Sequence, residues 1–133
     1  MPYKSCSHRK YLLRYHIILV TKYRKPLFCN ESISQNIKEC MKKIEISSDF
    51  RIEEMEVDGN HLHLMVTSKP HLSPTQIVRK LKQESTVAMW KAFPKELKQC
   101  FWKEKTFWTD GYFVSSIGEV SSHTLKSYIQ NQG

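Results

Sequence analysis

Asp58-Gly59-Asn60 separates two segments of strand composition, 50–57 and 61–67. A turn this short joins neighbouring strands as an antiparallel hairpin, and everything else must be placed around that hairpin. Ahead of it, residues 11–21 (Tyr-Leu-Leu-Arg-Tyr-His-Ile-Ile-Leu-Val-Thr) are rich in β-branched and aromatic types and read as a central strand, ended by Lys22-Tyr-Arg-Lys-Pro26. Ile33, Ile37, Met41 and Ile44 recur at helical spacing and predict a helix over about 31–46. Beyond the hairpin, Ser73-Pro74-Thr75-Gln76 is a helix start: Ser73 caps, Pro74 suits the first helical position and Gln76 closes a capping box. That helix is expected to run to about Lys91, with Ile77, Val78, Leu81 and Ala88 inward and Pro94 past its end. Residues 95–111 read as irregular and aromatic, Tyr112–Ile117 as a fourth strand, and Ser121 or Ser122 as the cap of a last helix ending at Gln132. The order βαββαβ plus a terminal helix predicts an α+β, ferredoxin-like (RRM-like) fold. Its antiparallel sheet has two helices on one face, and the other face is left for function or for the extra helix. With no internal repeat and no linker, a single domain over 1–133 is expected.

Charge narrows the partners. The 133 residues carry 21 Lys and Arg against 13 acids, a net charge of +8 and a pI near 9.4, which favours polyanions. Residues 1–30 hold seven basic residues and no acid, 79–105 hold eight against three, and 49–58 hold five acids and one Arg. The first basic region has an extended pattern rather than that of an amphipathic surface helix, so nucleic acid fits better than a membrane. No apolar run approaches the roughly 20 residues of a membrane span. Arg14 and His16 interrupt the Leu12–Val20 run, which reads as a strand and not a signal peptide; a cytoplasmic protein is expected. Cys6, Cys29, Cys40 and Cys100 make no C-x-x-C pair and read as reduced, mostly half-buried thiols.

Two pairs of residues have spacing with chemical meaning. His61 and His63, two apart on a strand, present both imidazoles to one face, while Leu62, Leu64 and Val66 point to the other. Adjacent imidazoles are half of a metal site, though spacing alone leaves polar surface the simpler reading. Tyr128 and Gln132 lie one turn apart on one face of the final helix, which by itself is ordinary amphipathic patterning. Lys10, Arg14, Lys22, Arg24 and Lys25 flank the first strand, and Arg79, Lys80 and Lys82 open the second long helix. As groups they suit a phosphate footprint. Trp102, Phe107 and Trp108 could stack bases, but an aromatic cluster of this kind is more often core.

Taken in order, the motifs resemble a known family. Val20-Thr21-Lys22-Tyr23-Arg24-Lys25-Pro26-Leu27-Phe28, Gly59-Asn60-His61-Leu62-His63-Leu64-Met65-Val66, Ser73-Pro74-Thr75-Gln76-Ile77-Val78, Phe107-Trp108-Thr109-Asp110-Gly111-Tyr112-Phe113-Val114 and Ser127-Tyr128-Ile129-Gln130-Asn131-Gln132-Gly133 together resemble the HUH single-tyrosine transposases. These are the TnpA family of small insertion sequences that move as single-stranded DNA. The resemblance implies that His61 and His63 are the metal-binding His-hydrophobic-His pair, Tyr128 the nucleophile and Gln132 the third protein ligand. It also implies Mg²⁺ or Mn²⁺ as the cofactor, hairpin-containing single-stranded element ends as substrate, and a homodimer with composite sites. Imidazole ligands alone would equally suit Zn²⁺ or Ni²⁺.

The implied chemistry is coherent. A phenol attacks a phosphodiester, leaving a 5′-phosphotyrosine and a free 3′-OH, and the covalent link conserves the bond for rejoining. Two other readings compete. In a non-catalytic RRM-like module, Asp110-Gly111-Tyr112-Phe113-Val114 would echo an RNA-binding signature, but it falls on the fourth strand rather than the third. A nuclease using activated water would never attach to its substrate. The intact Tyr128, His61 and His63 argue against an inactive relative acting as a repressor.

Overall fold

The computed structural model describes residues 13–117. Lys10, Cys6, Tyr128, Gln132 and the expected final helix lie outside them. The elements run β1 (Leu13–Val20), two short 3-10 turns (Lys22–Arg24 and Leu27–Cys29), α1 (Glu31–Ile46), β2 (Phe50–Asp58), β3 (His61–Ser68), α2 (Pro74–Ala92), α3 (Pro94–Cys100) and β4 (Phe113–Ile117). The strands form one antiparallel sheet in the order β2-β3-β1-β4, the ferredoxin-like arrangement with β1 and β3 at its centre.

The helix starts are those the sequence dictates. Asn30 caps α1 by accepting the Ile33 N–H at 3.1 Å. Ser73 and Gln76 form both halves of the capping box on α2, 3.1 and 2.8 Å. From α1, Ile33, Ile37, Met41 and Ile44 are buried; from α2, Ile77, Val78, Leu81 and Met89. They pack on Tyr15, Ile17, Leu19, Leu62, Leu64 and Val66, the side chains that β1 and β3 turn to that face.

One element departs from the sequence reading. The stretch expected to be irregular from residue 95 begins as a helix, α3. Pro94 ends nothing by itself; at the first helical position its missing N–H costs no hydrogen bond, so it opens α3. Leu97 anchors that helix with no exposed surface. The aromatic cluster also divides. Phe107 and Trp108 are core, as expected, with the Trp108 indole N–H on Ser85 Oγ at 2.9 Å, but Trp102 is 72% exposed.

Two local features set the register around the second sheet face. Gly59 takes φ +59, as a two-residue hairpin between Asp58 and His61 requires. In β2 a bulge at Glu53 shifts the pairing between Ile52 and Glu54. The extra residue flips side-chain parity, so Phe50, Ile52, Met55 and Val57 all reach the helix-covered core. Glu54, Glu56 and Asp58 thereby turn to the opposite face.

Candidate functional site

That opposite face carries the histidines. Register places His61 across from Asp58 and Val20, and His63 across from Glu56 and Ile18. The two imidazoles stand side by side, ring centroids 5.9 Å apart and nearly parallel. Their alternation with Leu62 and Leu64 is what the strand pattern demands: two apolar side chains seated in the core, two imidazoles on the other side.

A third imidazole, not singled out in the sequence, joins them. His16 on β1 stacks on His63 with centroids 6.0 Å apart and an interplanar angle of 15°, and Phe113 from β4 meets it edge-on at 5.9 Å. The row Phe113, His16, His63, His61 thus crosses three strands. The signal for His16 was its parity: residue 16 shares a face with Arg14 and Ile18, and only the β1–β3 pairing reveals that this face is also that of His63. His16, Ile18, His63, Met65 and Thr67 are all buried there.

Burial fixes the protonation of these rings. Loss of solvent, and then repulsion from His61, holds His63 below the ordinary imidazole range, against the opposing pull of Glu56 and Asp58. Burial, and secondarily His63, lowers His16 from 6.5 to about 4. Both rings are therefore neutral at pH 7, the form that donates a lone pair to a cation. His63 Nδ1 is buried and has no hydrogen-bond partner among the described residues. Such an orphan costs about 1–3 kcal/mol, which a bound cation or a substrate acceptor would offset. The donor chemistry thus fits a divalent ion on His61 and His63. Among the described residues no three His, Cys, Asp or Glu side chains converge to hold one alone. Further ligands must come from elsewhere.

The His16 shift makes a stability prediction. The unfolded chain binds this proton near pH 6.5 and the folded chain only near 4, so the stability present above 6.5 is lost as pH falls through that window. The loss approaches about 3 kcal/mol at the acid end. His16→Gln, unfolded by urea in chelator at pH 7 and 4.5, is expected to lose distinctly less stability between the two pH values than the unsubstituted chain. Parallel losses would refute the assignment.

The basic residues are distributed unevenly. Arg14 is exposed, on the His16 face of β1. Lys22, Arg24 and Lys25 lie in the turn after β1, at the end of the sheet where His61 begins. Lys22 Nζ pairs with Asp110 at 3.4 Å. Tyr23 and Arg24 take left-handed backbone, φ 59 and 53, at a cost of about 1–3 kcal/mol each for non-glycine residues. Thr21 Oγ1 donates to the Lys25 carbonyl at 2.6 Å and Asn60 Nδ2 to the Arg24 carbonyl at 3.3 Å, which pins this strained turn to the hairpin beside His61.

On α2 the three expected DNA contacts part company. Arg79 is exposed. Lys80 Nζ donates to the Ser47 carbonyl at 3.1 Å. Lys82 is a correction to the phosphate footprint: its ammonium donates to the carbonyls of Thr109, Asp110 and Gly111 at 2.7, 3.2 and 2.8 Å, so all three N–H groups hold the loop before β4. Burial lowers its pKa, opposed by Asp110.

Comparison with known proteins agrees with this geometry. The family described as "Transposase IS200 like" matches residues 9–132. The transposase of insertion sequence IS200 from Salmonella typhimurium is 27% identical over 129 residues, 97% of this chain and 82% of that protein. The ISDra2 transposase TnpA of Deinococcus radiodurans is 28% identical over 122 residues, 92% of this chain and 85% of that protein. A crystal structure of a candidate transposase from Deinococcus radiodurans R1 matches with a TM-score of 0.76 at 29% identity, covering 97% of each chain. A REP-associated tyrosine transposase, solved bound to a REP hairpin, shares the fold with a TM-score of 0.60 at 16% identity, over 96% of this chain and 68% of that one.

Proposed function

The chain belongs to the IS200-like transposase family, and from that premise we propose that it cleaves and rejoins single-stranded DNA at insertion-sequence ends through Tyr128. The observation that carries the reading is the pair of stacked imidazoles at 5.9 Å on one sheet face, with His63 held unprotonated by burial. They provide two nitrogen ligands beside a basic turn. Tyr128 and Gln132 lie outside the described residues and enter as the nucleophile and the third protein ligand.

The reaction balances without an external energy source. The Tyr128 oxygen bonds to phosphorus and gives up its proton. The bond from phosphorus to the 3′ oxygen breaks, and that oxygen leaves as a 3′-OH once protonated. The tyrosine retains the 5′ phosphate, so a second 3′-OH can reverse the step on a new strand. A phenol with a pKa near 10 is a poor nucleophile at pH 7; a Mg²⁺ or Mn²⁺ ion on His61 and His63 would polarise the phosphate and ease departure of the 3′ oxygen. His63 is kept ready by burial, which leaves it unprotonated. Glu56 and Asp58, opposite the pair, add negative charge that attracts a cation. Arg24, Lys25 and Arg79 are exposed or half-exposed cations that suit phosphates, and Arg14 lies exposed on the histidine face. Hairpin-bearing element ends are the substrate by analogy with the hairpin-bound REP-associated relative, and a homodimer is the acting form.

The test incubates labelled single-stranded element ends with protein and Mg²⁺ or Mn²⁺. A denaturant-resistant protein–DNA adduct is expected, absent with duplex DNA of the same sequence and absent when a chelator removes the ion. Cutting without attachment would instead favour water as the nucleophile.

A further inference from the structure

The turn after β1 and the segment after α3 form a half-open pocket of about 260 Å³ that the cleavage chemistry does not use. Phe101, 4% exposed, forms its floor, and Tyr23 stands beside it with ring centroids 6.3 Å apart. Trp102 forms part of the lining. Tyr23 and Trp102 are 65% and 72% exposed, the largest exposures among the aromatic side chains of the described residues. Two lysines lie at the pocket, Lys25 and Lys103, the latter with Nζ 5.2 Å from the Trp102 ring centroid; one acid, Glu104, also lines it. The volume suits one planar ring system and is below the range usual for larger ligands.

Three observations bear on its occupant. Large aromatic faces exposed to water beside cations match a nucleobase and its phosphates, because every base offers a π face and every linkage a negative charge. Tyr23 is placed here by the strained left-handed turn, which surrounding hydrogen bonds hold, and such strain clusters at binding and catalytic sites. The pocket is also joined to the histidine site. Thr21 bonds to Asn60, the residue before His61, and Lys22 N–H donates to the Phe107 carbonyl at 2.8 Å, which ties residues 106–109 alongside.

We infer that this pocket receives one unpaired base of the single-stranded DNA, stacked on Tyr23 and Trp102, with the flanking phosphates on Lys25 and Lys103. The inference rests on the reading of the chain as acting on single-stranded DNA.

The experiment measures binding of labelled oligothymidylate and of an abasic oligomer of equal length to the full chain. Tyr23→Ala and Trp102→Ala are each expected to weaken oligothymidylate binding roughly tenfold and leave abasic binding unchanged. Trp102→Phe should retain most of the affinity yet lose most of the tryptophan quenching that oligothymidylate causes. Lys25→Ala and Lys103→Ala should weaken both oligomers and lower the salt slope by about one each. Equal losses for the two oligomers in the aromatic variants, or losses under twofold, would overturn the inference. Both rings are exposed, so truncation does not open the core. Failure of the cleavage reading would appear separately, as absence of the covalent adduct in the unsubstituted chain. Failure of the pocket would leave that adduct intact.

Discussion

His63→Ala is expected to reduce single-stranded DNA cleavage by on the order of 10³-fold, the scale of losing a group that stabilises charge in the transition state. His63 is the middle member of the imidazole row, between His61 and His16, so its loss removes a ligand and also the ring against which both neighbours stack. His61→Ala should follow it, since one imidazole cannot replace two. The fold should survive, because Leu62 and Leu64 on the opposite face carry the packing of β3. DNA affinity should change by less than the cleavage rate, since phosphate contacts come mainly from the basic side chains. Single-turnover cleavage, set beside a binding titration of the same variant, checks this. A His63→Ala protein that cuts at the unsubstituted rate would remove the pair from the chemistry.

Phe107→Ala is expected to destabilise the protein by about 3–5 kcal/mol, a large share of the roughly 5–15 kcal/mol available to a domain. The ring is fully buried, edge-on to Trp108 at 4.7 Å and tilted against Phe28 at 6.1 Å. The backbone carbonyl of the same residue accepts the Lys22 N–H, so a cavity here would also loosen the turn that leads to the histidine edge. Urea denaturation gives the number, and Trp102→Phe provides the contrast: an exposed ring that should shift stability by no more than about 0.5 kcal/mol. A loss under about 1 kcal/mol for Phe107→Ala would mean that the segment before β4 contributes little to the core.

The parts legible in the sequence are those with local causes. The cap at Ser73, the glycine of the 58–61 hairpin and the apolar stripe of α1 each act within a few residues, and the elements they define fall within a residue or two of expectation. The β2–β3–β1–β4 order followed from the element sequence and the rule that such units close in few ways. The start of α3 escaped because a proline signals both the end of one helix and the beginning of another.

What was hidden depends on contacts distant in the chain. His63 and His61 are neighbours by alternation alone, so their pairing was readable. His16 joins them only through the β1–β3 register, which spans more than forty residues of chain. The carboxylates opposite the histidines depend on the bulge at Glu53; its sign in the sequence is the apolar switch from 50 and 52 to 55 and 57. Lys82 looked like its neighbours Arg79 and Lys80, and only the folded loop 109–111 shows its ammonium occupied. Trp102 could not be told from Phe107 and Trp108, because an irregular segment has no period to assign faces.

Identifying the atom that holds the DNA decides whether Tyr128 is the nucleophile. Protein incubated with single-stranded element ends and Mn²⁺ is digested and the adduct peptide sequenced by mass spectrometry, with Tyr128→Phe carried in parallel. A 5′-phosphate bonded to Tyr128, a free 3′-OH on the released strand and no adduct in the variant are expected. A modification on another residue, or an adduct undiminished in Tyr128→Phe, would contradict it.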